Sequence, residues 1–196
     1  MAEVELPNVK ELEEARDKTF TRRVALATAA YAVSLAIASL GGSNAMKEML
    51  LAQQEASNQW SFYQSKVVRE HLNRGNKVML ETQLADPSAL KGAEREKFEA
   101  LAKKFGDEEK RMVVDKKEIE PKARAFEAER DRNQTKDPYF DYAEVLLQIS
   151  IVCASVSILS TSRPMFWFSS ILAILGALST MNGFLLFFRL PFLHGH

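Results

Sequence analysis

Three stretches of this chain, residues 24–46, 145–162 and 164–188, contain no charged side chain. Each is close to or above the roughly 20 mostly apolar residues that a helix needs to cross a bilayer core of about 30 Å. A soluble chain of 196 residues could not bury three such stretches and also solvate a highly charged middle. The sequence therefore predicts an all-α integral membrane protein with three transmembrane helices.

The distribution of charge predicts six segments. These are an N-terminal cytoplasmic segment (1–21), transmembrane helix 1 (22–42), an extramembrane helical hairpin (43–140), transmembrane helix 2 (141–162), transmembrane helix 3 (163–188) and a C-terminal tail (189–196).

Arginines in short loops predict the orientation in the membrane. Arg22 and Arg23 precede the first span, and Arg163 lies in the turn between the second and third spans. Three spans place both sites on one side, which the positive-inside rule makes cytoplasmic, although Arg189 favours the opposite side. The hairpin and the C-terminus are then extracytoplasmic. Because Arg22 and Arg23 precede an Ala-rich run, the first span also resembles a cleavable twin-arginine signal.

Small residues recur along two of the predicted spans, and they let helix backbones approach closely. They are Ala30, Ser34, Ala38 and Gly42 in the first span, and Gly176, Ser179 and Gly183 in the third. One interpretation is packing among the three helices of a single protomer. The other is docking onto a second membrane subunit.

Residues 43–140 mix charges of both signs, contain few Gly and Pro residues, and show no alternating β-branched run. Apolar spacings of three and four predict a first helical arm. Its seam is Met46, Met49, Gln53, Ala56, Trp60, Tyr63 and Val67. The break at Asp86-Pro87 precedes a second arm of similar length. The two arms therefore predict an antiparallel, coiled-coil-like hairpin whose tip lies near Asp86–Ser88.

The second arm repeats every seven residues, at Phe98, Phe105, Met112, Ile119 and Phe126. Leu101 continues this seam, while Glu108, Asp115, Lys122 and Glu129 are expected in the other core position. Gly106-Asp107 and Pro121 predict that this arm is segmented. A seam that is only half apolar favours self-association or a protein partner.

No catalytic or cofactor motif can be identified, and we expect a protein that is not an enzyme and has no cofactor. Cys153 lies inside the second predicted span, and His71, His194 and His196 lack ligand spacing for a metal. Lys and Arg total 26, as do Asp and Glu, so no basic excess favours a nucleic-acid partner.

The densest group of candidate interface residues lies in the first arm, where Trp60 and Tyr63 share a helical face. They are expected to pack either in the core of the hairpin or at a ligand site. In the spans, the polar residues are Glu144, Gln148 and Asn182. Glu144 is close enough to the helix end to reach the interface. Gln148 and Asn182 are expected to form interhelical hydrogen bonds, with an ion path as the alternative.

Two segments of the sequence resemble a bacterial membrane family known as domain-of-unknown-function family 4337. They read QQEASNQWSFYQSK at residues 53–66 and DYAEVLLQISIVCASVSIL at residues 141–159. The resemblance covers about residues 20–188 and implies the same order of one helix, a charged helical insert and two closely spaced helices. The positions that it marks as family-typical are Trp60, Tyr63, Gln64, Lys66, Tyr142, Glu144 and Gln148.

These features together favour a non-enzymatic protein of the bacterial inner membrane. Its expected role is assembly or scaffolding, as a homo-oligomer or as an accessory subunit of a larger membrane complex. An oligomeric channel or transporter component is the alternative, since three helices per protomer are too few to enclose a pore.

Overall fold

A computed structural model describes residues 9–86 and 91–188 of the chain. Within these ranges the structure consists of three α-helices: α1 (Val9–Leu84), α2 (Ala93–Leu159) and α3 (Arg163–Leu185). No strand occurs in the described residues. The all-α class is confirmed. The predicted hairpin tip at Pro87 and Ser88, together with Arg189, His194 and His196, lies outside the described residues.

Helix α2 runs without interruption through positions at which the sequence predicts breaks. It begins after Gly92, whose φ is +60°, with Glu94 and Glu96 in its first turn. The helix end predicted at Gly106-Asp107 is wrong, because both residues are helical, and α2 also continues through Pro121, where a kink was predicted. A helical glycine costs only about 1 kcal/mol relative to alanine. The strong helix formers around Gly106 and the contacts of this helix with α1 outweigh that cost.

The helices form two compact units. One comprises the described residues up to Glu48 together with those from Arg132 onwards, and we call it the three-helix unit. The other comprises Met49–Asp131, and we call it the two-helix unit.

In the three-helix unit most buried side chains are small or polar, with Val24, Phe140 and Leu147 among the exceptions, and most large apolar side chains are outside. Ala38, Ser150, Ser157 and Ser169 are fully buried, while residues such as Val152 are exposed. All three helices are long and apolar enough to cross a membrane. In their most apolar windows only 17%, 33% and 28% of the residues are buried. This arrangement is the reverse of a water-soluble core.

A tight turn joins α2 to α3. Thr161 adopts the left-handed conformation with φ of 51°. The amide of Ser162 donates to the carbonyl of Ser157 (3.1 Å), and the amide of Thr161 donates to that of Ile158 (3.4 Å). This pair of bonds is a Schellman motif, which satisfies the last carbonyls of α2. Pro164 lies in the first turn of α3, where its missing N–H costs nothing.

The two-helix unit pairs α1 with α2 in antiparallel order. Going forward along α1, Trp60, Lys66 and Arg74 bond to residues that go backward along α2, namely Glu127, Asp115 and Glu109. Alanines at positions 52, 56, 102 and 123 are buried between the helices. Because alanine keeps the two backbones close, long polar side chains of one helix can reach the other.

Candidate functional site

Trp60 and Tyr63 lie against α2, as the core interpretation of this pair predicts. The indole Nε1 of Trp60 donates a 2.9 Å hydrogen bond to Glu127 Oε1. The Trp60 and Tyr63 rings meet edge to face, with centroids 5.4 Å apart. The guanidinium of Arg124 lies 5.9 Å from the Trp60 ring, and Lys116 Nζ lies 5.8 Å from the Tyr63 ring. The two aromatic residues therefore hold the hairpin helices together.

Two ion pairs continue this contact. Lys66 Nζ donates to Asp115 Oδ2 at 2.6 Å, and both side chains are about three-quarters covered. The hydrogen bond from Lys66 lowers the pKa of Asp115. One turn further along α1, Glu70 is buried and paired with Lys116. The hydrogen bond from Lys116 lowers the pKa of Glu70, and burial opposes it. Both carboxyl groups are thus held ionised.

Other polar residues of α1 differ in their contacts. Arg74 Nε donates to Glu109 Oε1 at 2.8 Å, and this bond raises the pKa of Arg74. Gln53 accepts a 3.0 Å hydrogen bond from Arg130. The Gln64 side chain is exposed and has no bond to a described residue. Gln64 is therefore the one family-typical polar residue of this segment that faces away from α2.

The seam of α1 agrees with the predicted one at five of seven positions. Its covered positions in this unit are Met49, Ala52, Ala56, Gln59, Trp60, Tyr63, Lys66, Val67, Glu70, Asn73, Lys77, Leu80 and Leu84. Met49, Ala56, Trp60, Tyr63 and Val67 were predicted correctly, whereas Met46 and Gln53 are exposed. The prediction favoured larger side chains where alanine lies at the contact. Charged and amide side chains occupy five of these thirteen positions.

On α2 the repeat of seven is confirmed, since Phe98, Phe105, Met112, Ile119 and Phe126 are all covered. The second core position was predicted one residue too early at three of its five sites. Leu101 is 42% exposed, whereas Ala102 is 8% exposed. Lys122 and Glu129 are likewise exposed where Ala123 and Arg130 are covered, whereas Glu108 and Asp115 are half-buried, as are Glu109 and Lys116 next to them. Residues three and four positions after each member of the repeat lie on the same side of the helix, and hydrophobicity alone does not decide which of the two is buried.

Along the first span, the small residues predicted to share one face separate. Ala38 is fully buried, Gly42 is half-buried and Ala30 is exposed. The Ser34 hydroxyl donates to the carbonyl of Ala30 at 3.0 Å, within its own helix. With 3.6 residues per turn, each step of four rotates a position by about 40°. Ala30 is therefore wrongly assigned to this packing face.

Glycines surround the ring of Phe140, which is 1% exposed. A Cβ at Gly41 would lie 2.5 Å from Phe140 Cε1, one at Gly42 would lie 3.2 Å from Phe140 Cβ, and one at Gly183 would lie 2.9 Å from Phe140 Cε1. The Phe184 ring packs edge to face on the Phe140 ring at 4.9 Å. Glycines of α1 and α3 thus make the space for one aromatic ring of α2.

The small residues of α3 contact α2 of the same protomer. A Cβ at Gly176 would lie 2.8 Å from Leu147 Cγ. Ser179 Oγ donates to the carbonyl of Tyr139, and Ser169 Oγ donates to that of Ser150, each at 2.8 Å. These contacts agree with the interpretation of packing within one protomer.

Among the polar residues of the predicted spans, Asn182 closes the end of its own helix. Its Nδ2 donates to the carbonyl of Phe188 (2.8 Å), and its Oδ1 accepts from the Phe188 amide (2.9 Å). The interhelical hydrogen bond predicted for Asn182 is therefore wrong. Gln148 is exposed and Glu144 half-buried, and neither side chain bonds to a described residue. The predicted interhelical bond of Gln148 is also absent from the described residues.

Sequence reasoning missed several contacts of the three-helix unit. Tyr31 and Ser170 share a 2.8 Å hydrogen bond between α1 and α3. The buried Tyr139 donates from its hydroxyl to the carbonyl of Phe188 at 2.9 Å. Both tyrosines lie in or next to the apolar stretches, where a hydroxyl needs a partner. A tyrosine hydroxyl in an apolar stretch of the sequence was the feature from which these contacts could have been predicted.

Large apolar side chains are also exposed on α1 outside its main contact with α2. The outward stripe, as we call it, comprises Leu51, Phe62, Leu72 and Met79, all more than half exposed. These residues are 11, 10 and 7 positions apart and lie within about 100° of one another around the helix, with polar residues such as Asn58 and Arg69 between them. Sequence reasoning assigned the apolar residues of this arm to a single seam and did not separate this second face.

Within the described residues, no group of three His, Cys, Asp or Glu side chains could hold a metal ion. Cys153 is buried.

Comparison with known proteins extends over most of the chain. The sequence model of a domain-of-unknown-function family, DUF4337, matches residues 20–186. Comparisons with curated proteins and with solved structures gave no match. The matched region contains α2 and α3 and nearly all of α1. The chain therefore belongs to the DUF4337 family.

Proposed function

We propose that this is a multi-pass protein of the bacterial inner membrane that acts without enzymatic activity in assembly or scaffolding. Its working form is a homo-oligomer or an accessory subunit of a larger membrane complex. The inverted distribution of side chains in the three-helix unit supports membrane insertion. Large apolar side chains facing outward are stable in hydrocarbon and costly in water, at about 25 cal/mol per Å².

In this proposal the N-terminus is cytoplasmic, and the two-helix unit is an extracytoplasmic coiled-coil-like hairpin. Arg23 and Arg163 support the orientation because both line one crevice of the three-helix unit, which puts them at the same end of the spans. Alkaline phosphatase is active only outside the cytoplasm. A fusion after Gly92 is expected to be active and one after Ser162 inactive. The reverse pattern would contradict the orientation.

The observation that carries the assembly role is the outward stripe. Leu51, Phe62 and Leu72 expose more than half of their surface on a helix that is otherwise rich in charge. The contact between α1 and α2 is formed mainly by other residues of α1, and Leu72 lies at its edge, near Glu108 and Met112 of α2. A line of exposed apolar side chains on a charged surface is typical of a protein contact. A second copy of the hairpin or a helical partner would cover this line.

Mass measurement of the protein in mild detergent tests this role. The wild type is expected at a multiple of its 22.1 kDa protomer mass, or with a stoichiometric partner. Phe62→Ser combined with Leu72→Ser is expected to reduce that mass to the protomer. Val114→Ser changes an equally exposed apolar residue of α2 and serves as the control. A wild-type monomer without a partner would contradict the assembly role.

The alternative, an oligomeric channel or transporter component, has one observation in its favour. Gln148 is exposed on a helix proposed to cross the membrane, and Glu144 lies one turn before it on the same side. An amide in hydrocarbon is costly without a hydrogen-bond partner. Contact with a neighbouring subunit or a water-filled path would remove that cost. Ion flux into vesicles that is abolished by Gln148→Leu would establish this alternative in place of scaffolding.

A further inference from the structure

An open crevice lies between α1 and α3 of the three-helix unit. Its volume is about 560 Å³, and its lining is Arg16, Thr19, Phe20, Arg23, Arg163, Phe166 and Trp167. The four residues from α1 are spaced by three, one and three, which places them on one side of that helix. The other three come from the first turns of α3. Among the side chains that the structure describes, no acidic one lines the crevice.

The crevice concentrates positive charge. Arg16, Arg23 and Arg163 contribute three guanidinium groups, and none of them forms an ion pair with a described residue. All ion pairs between described residues lie in the two-helix unit instead. A guanidinium group offers a planar fork of N–H donors that fits the oxygens of a phosphate. The side chain of Ser162 does not cap α3, so the start of that helix adds positive partial charge.

The remainder of the lining is aromatic. The Phe20 and Phe166 rings meet edge to face at 6.0 Å and join α1 to α3. Trp167 is 69% exposed at the margin. Tryptophan at a membrane–water boundary typically places its ring at headgroup level. A ligand of this crevice must therefore present an anionic group to the arginines and tolerate apolar surface beside it.

We propose that this crevice binds the phosphate of an anionic phospholipid headgroup. The inference rests on the proposed membrane placement, which puts Arg23 and Arg163 at the cytoplasmic ends of their spans. Basic pockets between transmembrane helices on that side suit anionic headgroups. A free phosphate shares the anionic chemistry but makes no use of the aromatic surface, so the lipid satisfies both parts of the lining.

The test uses the full-length protein in detergent with short-chain phosphatidylglycerol as the probe. Phosphatidylcholine, which has the same phosphodiester but no net charge, and inorganic phosphate are the comparison ligands. Phosphatidylglycerol is expected to bind at least about tenfold more tightly than either, as a charge-assisted contact implies. Equal binding of the two lipids would overturn the proposal. Equal binding of inorganic phosphate would assign the site to a free anion and overturn the lipid assignment.

Three variants that each remove one positive charge locate the site. Arg23→Gln and Arg163→Gln are each expected to raise the dissociation constant for phosphatidylglycerol about tenfold. Arg22→Gln is the matched control, because Arg22 is exposed and does not line the crevice. Arg163→Lys retains the charge, and it is expected to recover part of the affinity. If Arg22→Gln raised the dissociation constant for phosphatidylglycerol as much as Arg163→Gln does, the assignment of the site to this crevice would be wrong.

Two further measurements separate this inference from the proposed function. The melting temperature and helicity of each variant show whether an arginine variant has failed to fold, and only folded variants are compared. Removal of detergent tests membrane placement alone. A protein that remains dispersed and monomeric without detergent contradicts the proposed function. A protein that needs detergent but binds both lipids equally contradicts only the crevice.

Discussion

The Phe140 ring lies so close to the backbone of Gly183 that a single added carbon on Gly183 would fall 2.9 Å from the ring. The ring cannot easily move away, because Gly41 borders it on the side of α1 and the Phe184 ring packs on it. The three helices of this unit therefore depend on glycine at specific positions. In this respect they follow the small-residue packing that membrane helices use.

Substituting Gly183 by leucine should destabilise the three-helix unit. The larger side chain must displace Phe140, and overpacking of this kind costs about 1–3 kcal/mol. Ala177→Leu introduces the same residue on the exposed side of the same helix and should change the stability by less than about 0.5 kcal/mol. Thermal unfolding in detergent, followed by circular dichroism, compares the two. Equal melting temperatures would contradict the Phe140 contact.

Substituting Trp60 by alanine should loosen the two-helix unit. The change removes the ring contact with Tyr63 and the hydrogen bond to Glu127, and for a half-buried tryptophan we expect a loss of about 1–3 kcal/mol. Phe62→Ala, two residues later, changes an exposed ring. It should lower the oligomer mass while leaving the helicity of the protomer intact. If both variants lose helicity equally, the inner and outer faces of α1 are wrongly assigned.

Reversing one charge of the Lys66–Asp115 pair should lower the melting temperature of the two-helix unit. Lys66→Asp places two carboxylates at a contact now spanned by a 2.6 Å bond. Combining Lys66→Asp with Asp115→Lys should restore most of the loss, because the pair is then re-formed with its charges exchanged. The coupling between the two changes, measured as a double-mutant cycle, is the readout. Additive losses would show that the two residues do not interact.

Acid should weaken the two-helix unit. The folded-state pKa values of Glu70 and Asp115 are lowered by hydrogen bonds from Lys116 and Lys66. Their contribution to stability is therefore fully present above their ordinary pKa values of about 4 and is lost as the pH falls through the lowered values. Fluorescence of Trp60 in a Trp167→Phe background reports on this unit. The stability of the two-helix unit should depend less on pH in the double variant that combines Glu70→Gln with Asp115→Asn.

The measurement must report on the two-helix unit alone, because the pKa of Asp137, in the three-helix unit, is shifted in the opposite direction. Burial and then the charge of Asp141 raise the pKa of Asp137. Its contribution therefore favours folding as the pH falls. A two-helix unit that gains stability on acidification would contradict the ion-pair assignment.

The helices and the sevenfold repeat of α2 could be predicted from sequence because both depend on spacing alone. Phe98 to Phe126 identified one core position of α2 correctly. The other position could not be predicted, because Ala102 and Ala123 are buried through backbone proximity, which hydrophobicity does not measure. Gly106 was predicted to end a helix because local propensity does not include contacts with α1, such as that with Lys77.

Polar contacts in the candidate site were less predictable. Trp60 and Tyr63 could be singled out because they share a helical face in the densest group of candidate interface residues. The partners Glu127 and Asp115 depend on the register between α1 and α2, which a single sequence does not fix. Asn182 was predicted to reach another helix, but its amide matches the nearby backbone of Phe188 in both donor and acceptor.

The central claim is that hydrocarbon surrounds the three-helix unit. Spin labels at Val152→Cys and Ile174→Cys, in a Cys153→Ser background and in lipid vesicles, test it most directly; Val114→Cys in the hairpin is the reference. The account predicts that labels at 152 and 174 collide more with oxygen than with a water-soluble nickel complex, while a label at 114 shows the reverse. Nickel accessibility at 152 and 174 equal to that at 114 would contradict it.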